Sequence, residues 1–196
     1  MRLPLFPLHT VLYPGGRLPL RIFEQRYLEM AKACLRDGSP FGVCLIVQGD
    51  EVMPKGGAAP DFAKVGTLAR IESWDMPQQG ILHVSAAGDG RFEVRAHSVA
   101  RDGLVVADLA MLEAEPRLAL DPRFQSLARL LELLAARASP HQFPSERTYD
   151  DASWVGYRLC ELLPLPLPTK QRLLESDDAE ARLAALQEFL KQQGVV

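Results

Sequence analysis

The chain has 196 residues, of which 47% are hydrophobic and 24% are charged, and its formal net charge is -3. A chain of this size and balance can bury a core without a metal or disulfide, which excludes disordered and fibrous classes. The acidic pI of 5.8 argues against a surface that holds phosphate backbones, because nucleic-acid binders usually carry a basic patch.

Cysteine usage and hydropathy bear on the compartment. Cys34, Cys44 and Cys160 are widely spaced, form no Cys-x-x-Cys pair and have no histidine at a zinc-ligand spacing. We therefore expect free thiols in a reducing cytoplasm, with no metal and no cofactor. The apolar N-terminus is interrupted by Pro4 and Pro7, and no run approaches the roughly 20 apolar residues of a membrane span. We expect a cytoplasmic protein with neither a signal peptide nor a membrane segment.

The first 112 or so residues are typical of short β-strands separated by turns. Asp89-Gly90, between two apolar segments, predicts a tight hairpin. Many short strands at this spacing favour a small barrel or sandwich. The predicted strands lie at residues 18–22, 41–47, 65–71, 81–87, 92–96 and 104–112.

One helix is predicted within this β-rich half, over residues 24–35. Asp37-Gly38 should end it, because glycine readily adopts the left-handed conformation that closes helices. Its apolar residues recur at three- and four-residue steps and should pack on the barrel. These residues are Tyr27, Leu28, Ala31, Cys34 and Leu35.

After Pro116 the pattern becomes helical. Asp121-Pro122 should open a first helix that ends before Pro140, and a polar loop should follow at residues 141–151. Ser153, Thr169 and Asp177 should begin the next three helices, with an extended connector at residues 163–168 where leucine alternates with proline. We expect an α+β protein with a β-rich subdomain at 1–115 and a helical subdomain at 116–196, and a loose loop at 54–60.

No catalytic motif is present. The sequence contains no phosphate-binding Gly-Lys-Ser/Thr loop, no Gly-x-Ser-x-Gly elbow and no His-Glu-x-x-His. His9, His83, His97 and His141 fall in different predicted elements, and acidic pairs precede helices, where capping explains them. The chain is therefore predicted not to be an enzyme.

Several segments resemble the Lon N-terminal domain family. Residues 3–8 read Leu-Pro-Leu-Phe-Pro-Leu, a Pro-Gly turn follows at Pro14, and residues 20–27 read Leu-Arg-Ile-Phe-Glu-Gln-Arg-Tyr. The family typically has a proline at the position of Gln25. Similar but weaker matches follow in the family's order, at residues 41–43, 65–71, 88–92, 159–164 and 170–175.

The resemblance implies a PUA-like pseudo-β-barrel followed by a helical bundle. In Lon proteases this domain precedes an ATPase and a serine-lysine peptidase. Because the chain ends at Val196, shortly after its last predicted helix, we expect a module that stands alone without either. The implied partners are unfolded or tagged protein segments and a protease or chaperone.

The predicted binding site is a groove between the β-rich and helical parts. Its candidate residues are Tyr13, Pro14, Arg21, Phe23, Glu24, Arg26, Tyr27 and Trp154. A structural interpretation of the charged residues is favoured over substrate contact, with an Arg21–Glu24 ion pair at the corner between strand and helix and Phe23 as its plug.

Three other functions stay open at this point. PUA-like folds include RNA-binding proteins, although the acidic pI counts against that function here. A small enzyme with an unfamiliar site would need polar groups converging in a deep pocket. A structural partner could dock through the ribbon at residues 163–168 if its leucines were exposed.

Overall fold

The computed structural model describes residues 1–52, 59–139 and 143–194. The chain divides into two compact units, Met1–Glu113 and Ala114–Val196. His141, most of the predicted loop at 54–60 and the start of the predicted loop at 141–151 lie outside the described residues.

Over its described residues, the first unit is a closed sheet with one helix. Five strands follow one another in the order β1-β7-β6-β5-β3, and β3 pairs with β1 in parallel, from Leu5↔Gly42 to Leu8↔Leu45, which closes the ring. The α+β class and the pseudo-barrel are thereby confirmed. The strands are β1 Arg2–Leu8, β2 Arg17–Ile22, β3 Phe41–Gln48, β4 Asp61–Phe62, β5 Val65–Gln78, β6 Ile81–Val99 and β7 Val105–Met111; β2 pairs with β6, and β4 with β3.

Helix α1, Gln25–Asp37, packs on the barrel core and confirms the predicted helix. Gly38 ends it at a φ of 63°, where its N–H donates to the carbonyl of Cys34. Leu35 was expected on the packing face but is 36% exposed, and Met30 is buried instead. All three cysteines are buried free thiols, and burial raises the pKa of Cys44 to about 12.

The predicted hairpin at Asp89-Gly90 is wrong. Strand β6 runs straight through it, and the chain reverses earlier, at Gly80, whose φ is 83°. Gly88 lies against the turn that follows Tyr13, since a Cβ there would stand 2.2 Å from the Tyr13 carbonyl oxygen. Gly88 therefore permits a close approach between two segments of the chain. In the sequence, a glycine needed for this reason looks the same as a glycine needed for a turn.

The described residues of the second unit form four α-helices, as predicted, but their starts differ. Asp151 and Asp178 accept the capping hydrogen bonds, not Ser153 and Asp177. The third helix starts two residues before Thr169, because Pro168 fits in its first turn, where no backbone donor is needed. The helices are α2 Gln125–Ala135, preceded by a 3-10 turn at Pro122–Phe124, α3 Ala152–Leu162, α4 Leu167–Glu175 and α5 Ala179–Gln192.

The barrel interior leaves no room at Gly66. An added Cβ would lie 2.3 Å from the Val43 carbonyl oxygen and 2.7 Å from the Phe92 ring, so Gly66→Ala should lower the free energy of unfolding by about 2 kcal/mol. The control is Gly90→Ala, which meets only the terminal methyl of the exposed Met111. Urea unfolding of both variants is the measurement, and equal losses would contradict this account of the core.

Candidate functional site

The charged residues of the sequence motif form a buried corner of the first unit. The Arg26 guanidinium donates to the carbonyls of Gly103 (3.0 Å) and Glu51 (3.3 Å), and its Nη2 lies 2.8 Å from a Glu24 carboxylate oxygen. The predicted ion pair between Arg21 and Glu24 is therefore wrong, because Glu24 pairs with Arg26 and Arg21 is exposed on β2. The Arg26 contacts tie the start of α1 to two loops, which is a structural role.

The aromatic residues of the motif divide between core and surface. Tyr27 stacks on Phe6 with ring centroids 3.9 Å apart, and burial raises its pKa to about 12. Tyr13 is fully buried and Pro14 is half-buried. Phe23 was expected to plug the corner, but its side chain is 54% exposed. Of these four residues, Phe23 offers the largest exposed apolar side chain.

An apolar row leads from the core to the surface across β2, β6 and β5. We call the three-stranded part formed by residues 17–22, 70–78 and 81–87 the wing. Leu20 pairs with Val84, and Val84 pairs with Trp74, so the three residues share one face of the wing. Val84 is buried in the barrel core, whereas Trp74 is 57% exposed. The inward face of the wing thus continues past the barrel into solvent.

Two more apolar side chains lie at this end of the wing. Met76 follows Trp74 by two residues in β5, close to the turn at Gly80, and it is 43% exposed. Phe23 follows Ile22, whose partner Leu82 is close to the turn that joins β5 to β6. We call Phe23, Trp74 and Met76 the wing-end patch.

The other face of the wing is polar. Arg21 pairs with His83, and His83 pairs with Asp75, and all three side chains are exposed. The wing is therefore two-sided, with its charges on one face and its apolar surface on the other.

Trp74 and Met76 were not among the predicted site residues. The predicted strand stopped at residue 71, yet alternation continues through Ser73, Trp74, Asp75 and Met76. That alternation was the signal that could have extended the strand. The real strand ends at Gln78, just before the turn.

Trp154 packs within the second unit. It lies on α3, half-buried, in edge-to-face contact with Phe143 and Tyr149 at centroid distances of 5.9 Å and 5.2 Å. The predicted groove residues thus belong to two units, seven to the first and Trp154 to the second. The groove itself stays a prediction.

The second unit buries two arginines completely, Arg158 and Arg182. Arg182 holds Glu115 in a two-pronged ion pair, and its guanidinium also donates to the carbonyls of Leu173 (2.9 Å) and Ser176 (2.6 Å). Tyr157 donates to the same carboxylate. Burial raises the pKa of Glu115, but the hydrogen bonds from Arg182 and Tyr157 outweigh it and leave the pKa below its ordinary value. Backbone carbonyls and the Glu115 carboxylate thus accept the hydrogen bonds of Arg182, which is typical of a structural role.

Glu161, which is half-buried, forms an ion pair with the buried Arg158. Its carboxylate lies 2.7 Å from Arg158 Nε, and its backbone carbonyl accepts from Lys170 Nζ at 3.0 Å. Burial raises the pKa of Glu161 to about 7 despite the nearby positive charges. In the residues described, no three His, Cys, Asp or Glu side chains approach closely enough to hold a metal ion.

The ribbon at residues 163–168 does not expose its leucines. Leu163 and Leu165 are buried, Leu167 is half-buried, and the three prolines face solvent. This arrangement counts against docking through a leucine patch. Within the described ranges, no helix combines the length and the apolar character needed to cross a bilayer.

Comparison with known proteins agrees with this fold. Residues 2–192 match the family model of the ATP-dependent protease La (LON) substrate-binding domain. The chain therefore belongs to the Lon substrate-binding domain family, as the motifs had indicated. A crystal structure of a Lon N-terminal domain protein from Xanthomonas campestris is 39% identical, has a TM-score of 0.78, and is matched over 96% of this chain and 98% of that one.

The curated relatives are much longer proteins. The Lon protease of Phenylobacterium zucineum is 29% identical over 95% of this chain but 24% of its own length, and Lon protease 2 of Myxococcus xanthus is 28% identical over 96% and 23%. The chain thus spans about a quarter of the length of these relatives.

The two motif arginines should differ sharply in their effect on stability. Arg26→Ala leaves Glu24 and two carbonyls without a buried donor, so it should cost about 3 kcal/mol of unfolding free energy. Arg21→Ala, on the exposed face of the wing, should change it by less than about 0.5 kcal/mol. Chemical denaturation compares the two, and similar losses would refute the structural role of Arg26.

Glu161 should make stability pH-dependent. The pKa of Glu161 is about 7 in the folded protein, above the ordinary value of 4.5. The contribution of Glu161 to the free energy of unfolding should therefore fall as the pH rises from about 4.5 to about 7. Glu161→Gln removes this titration. The stability difference, wild type minus variant, should therefore fall by roughly 1–3 kcal/mol between pH 5 and pH 8. Urea unfolding at both values measures it, and a constant or rising difference would disprove the shift.

Proposed function

We propose that this chain binds unfolded segments of protein substrates through the wing-end patch. The observation that carries the proposal is Trp74, a large apolar side chain that continues the barrel's core row and stands 57% exposed, in a member of a substrate-binding family. Exposed apolar residues grouped at one end of a sheet favour contact with other apolar chains.

The chemistry of the patch suits unfolded protein. Trp74 and Phe23 are rigid side chains with a large apolar area, which lose little conformational entropy when a partner covers them. Met76 adds a flexible side chain that can adapt to different neighbours. Such a surface selects for apolar content without demanding one sequence, and affinities should be about micromolar, because a disordered segment loses entropy on binding.

The place of this module in proteolysis is also part of the proposal. The curated relatives are named Lon proteases and are about four times as long as the matched region. As a cytoplasmic module, the chain would hold unfolded clients for a separate protease or chaperone. It would not be an enzyme. The predicted groove, with Trp154 as one wall, would be a second contact surface for the same clients.

Fluorescence anisotropy with labelled, unfolded casein tests the binding function. Wild type should bind saturably, and Trp74→Ala should weaken the affinity roughly tenfold or more, because aromatic anchors dominate binding energy. The matched control is Leu133→Ala, which removes a side chain that is 68% exposed on α2 of the other unit and should leave the affinity unchanged.

The outcomes separate the candidate functions. Equal affinities for wild type and Trp74→Ala, with circular dichroism showing both folded, would remove the wing-end patch from the proposal. Absence of casein binding together with salt-sensitive binding of an RNA oligomer would replace it with the RNA-binding function.

A further inference from the structure

Strand β5 is much longer than the strand beside it. It spans Val65–Gln78, but β3 pairs only with residues 67–69 of it. In the described parts of the chain, no strand pairs with the outer edge of β5 after Ala69, although β6 continues to pair with its inner edge as far as Gln78. The wing therefore has an open edge along residues 71–76.

The side chains along this edge alternate in character. Trp74 lies on the apolar face, where it pairs with Val84, whereas Ser73 and Asp75 lie on the polar face. Met76 follows them, at the start of a register shift between Asp75 and Gln78, and is also exposed. Residues 72–76 are all exposed, and Pro77 ends the stretch by removing a backbone donor. Six residues of strand extend at most about 20 Å, which is the length of an ordinary strand partner. The pairing of β5 with β6 shifts in register between Ile71 and Ser73 and again between Asp75 and Gln78, so the edge bends at both ends of this stretch.

The other edge of the wing is less open to a new strand. That edge is β2, and Pro19 occupies its middle. Natural sheets use proline at exposed edges to prevent further pairing, because it cannot donate to a neighbouring strand. The β5 edge has no such residue before Pro77.

We propose that an extended segment of the client joins the wing as an additional strand along residues 71–76 of β5. The inference rests on the proposed function and specifies how the client is held. The backbone of the client would pair with the unpaired N–H and C=O groups of β5. Its apolar side chains, at every second position, would pack beside Trp74 and Met76. A lysine or arginine of the client would be a favourable neighbour for Asp75 on the polar face.

This mode of binding distinguishes unfolded from folded protein. Backbone pairing is independent of sequence, so many clients can use it. A folded protein has already paired nearly all of its backbone groups and cannot offer them. Side-chain contact alone would not make that distinction, because folded proteins also carry exposed apolar residues.

Selective N-methylation of a peptide tests the inference. The probe is a labelled octapeptide, Thr-Leu-Lys-Val-Thr-Leu-Thr-Val, with two methylated forms that carry the methyl groups on alternate amide nitrogens, either the even-numbered or the odd-numbered ones. Only every second amide of an added strand faces the sheet edge. One form should therefore bind roughly tenfold or more weakly than the other, while the better form keeps the affinity of the unmethylated peptide.

The two proposals fail in different ways. Equal affinities of the two methylated forms, whether both high or both low, would overturn strand addition, as would absence of binding by the unmethylated peptide. If casein binding still depended on Trp74, the proposed function would stand and only the mode of binding would be wrong. If casein did not bind, the proposed function itself would fail.

Discussion

The parallel pairing of β1 with β3 is the contact on which the first unit depends. It joins the ends of an otherwise antiparallel path and turns an open sheet into a ring with a single interior. Because the ring is closed there, β5 and β6 can extend beyond it without exposing the core. The wing is this extension. The closure of one part of the sheet thus permits an open edge in another part.

The buried charges stabilise contacts that strands and helices cannot make alone. Arg26 secures the start of α1 to two loop carbonyls, and Arg182 secures Glu115 to the helices of the second unit. Both guanidinium groups donate to backbone carbonyls and lie against one carboxylate, and such contacts offset the cost of burying a charge. The motif that identifies the family in sequence is therefore in part a packing motif.

Local patterns predicted most elements but not their partners. The strand patterns, α1 and the four helices were visible because their periodicity is local. Strand β1 was not predicted, and two prolines interrupt its apolar run. Pro4 lies where β1 pairs only with β7, and Pro7 where it pairs only with β3, so each missing donor can face an unpaired side. That explanation depends on two distant strands, which a local pattern cannot reveal.

The candidate site was harder to predict than the fold. The predicted site residues from the sequence motif included Tyr13, Arg26 and Tyr27, and all three are buried in the structure. Whether an aromatic residue lies in the core or on the surface depends on how much of its strand belongs to the closed barrel. That part of the strand is set by its pairing with distant strands. Trp74 belongs to none of the sequence motifs. It is exposed in the fold because β3 pairs with β5 only as far as Ala69.

Strand β6 belongs to both the ring and the wing, and this has a consequence for how the protein can vary. The ring fixes the register of β6 near Phe92, where it pairs with both neighbours, whereas the turn at Gly80 is exposed and distant from that constraint. Residues can be added or removed in pairs on either side of this turn without a change in register. The length of the hairpin is thus a dimension that related proteins can alter while they keep the same barrel.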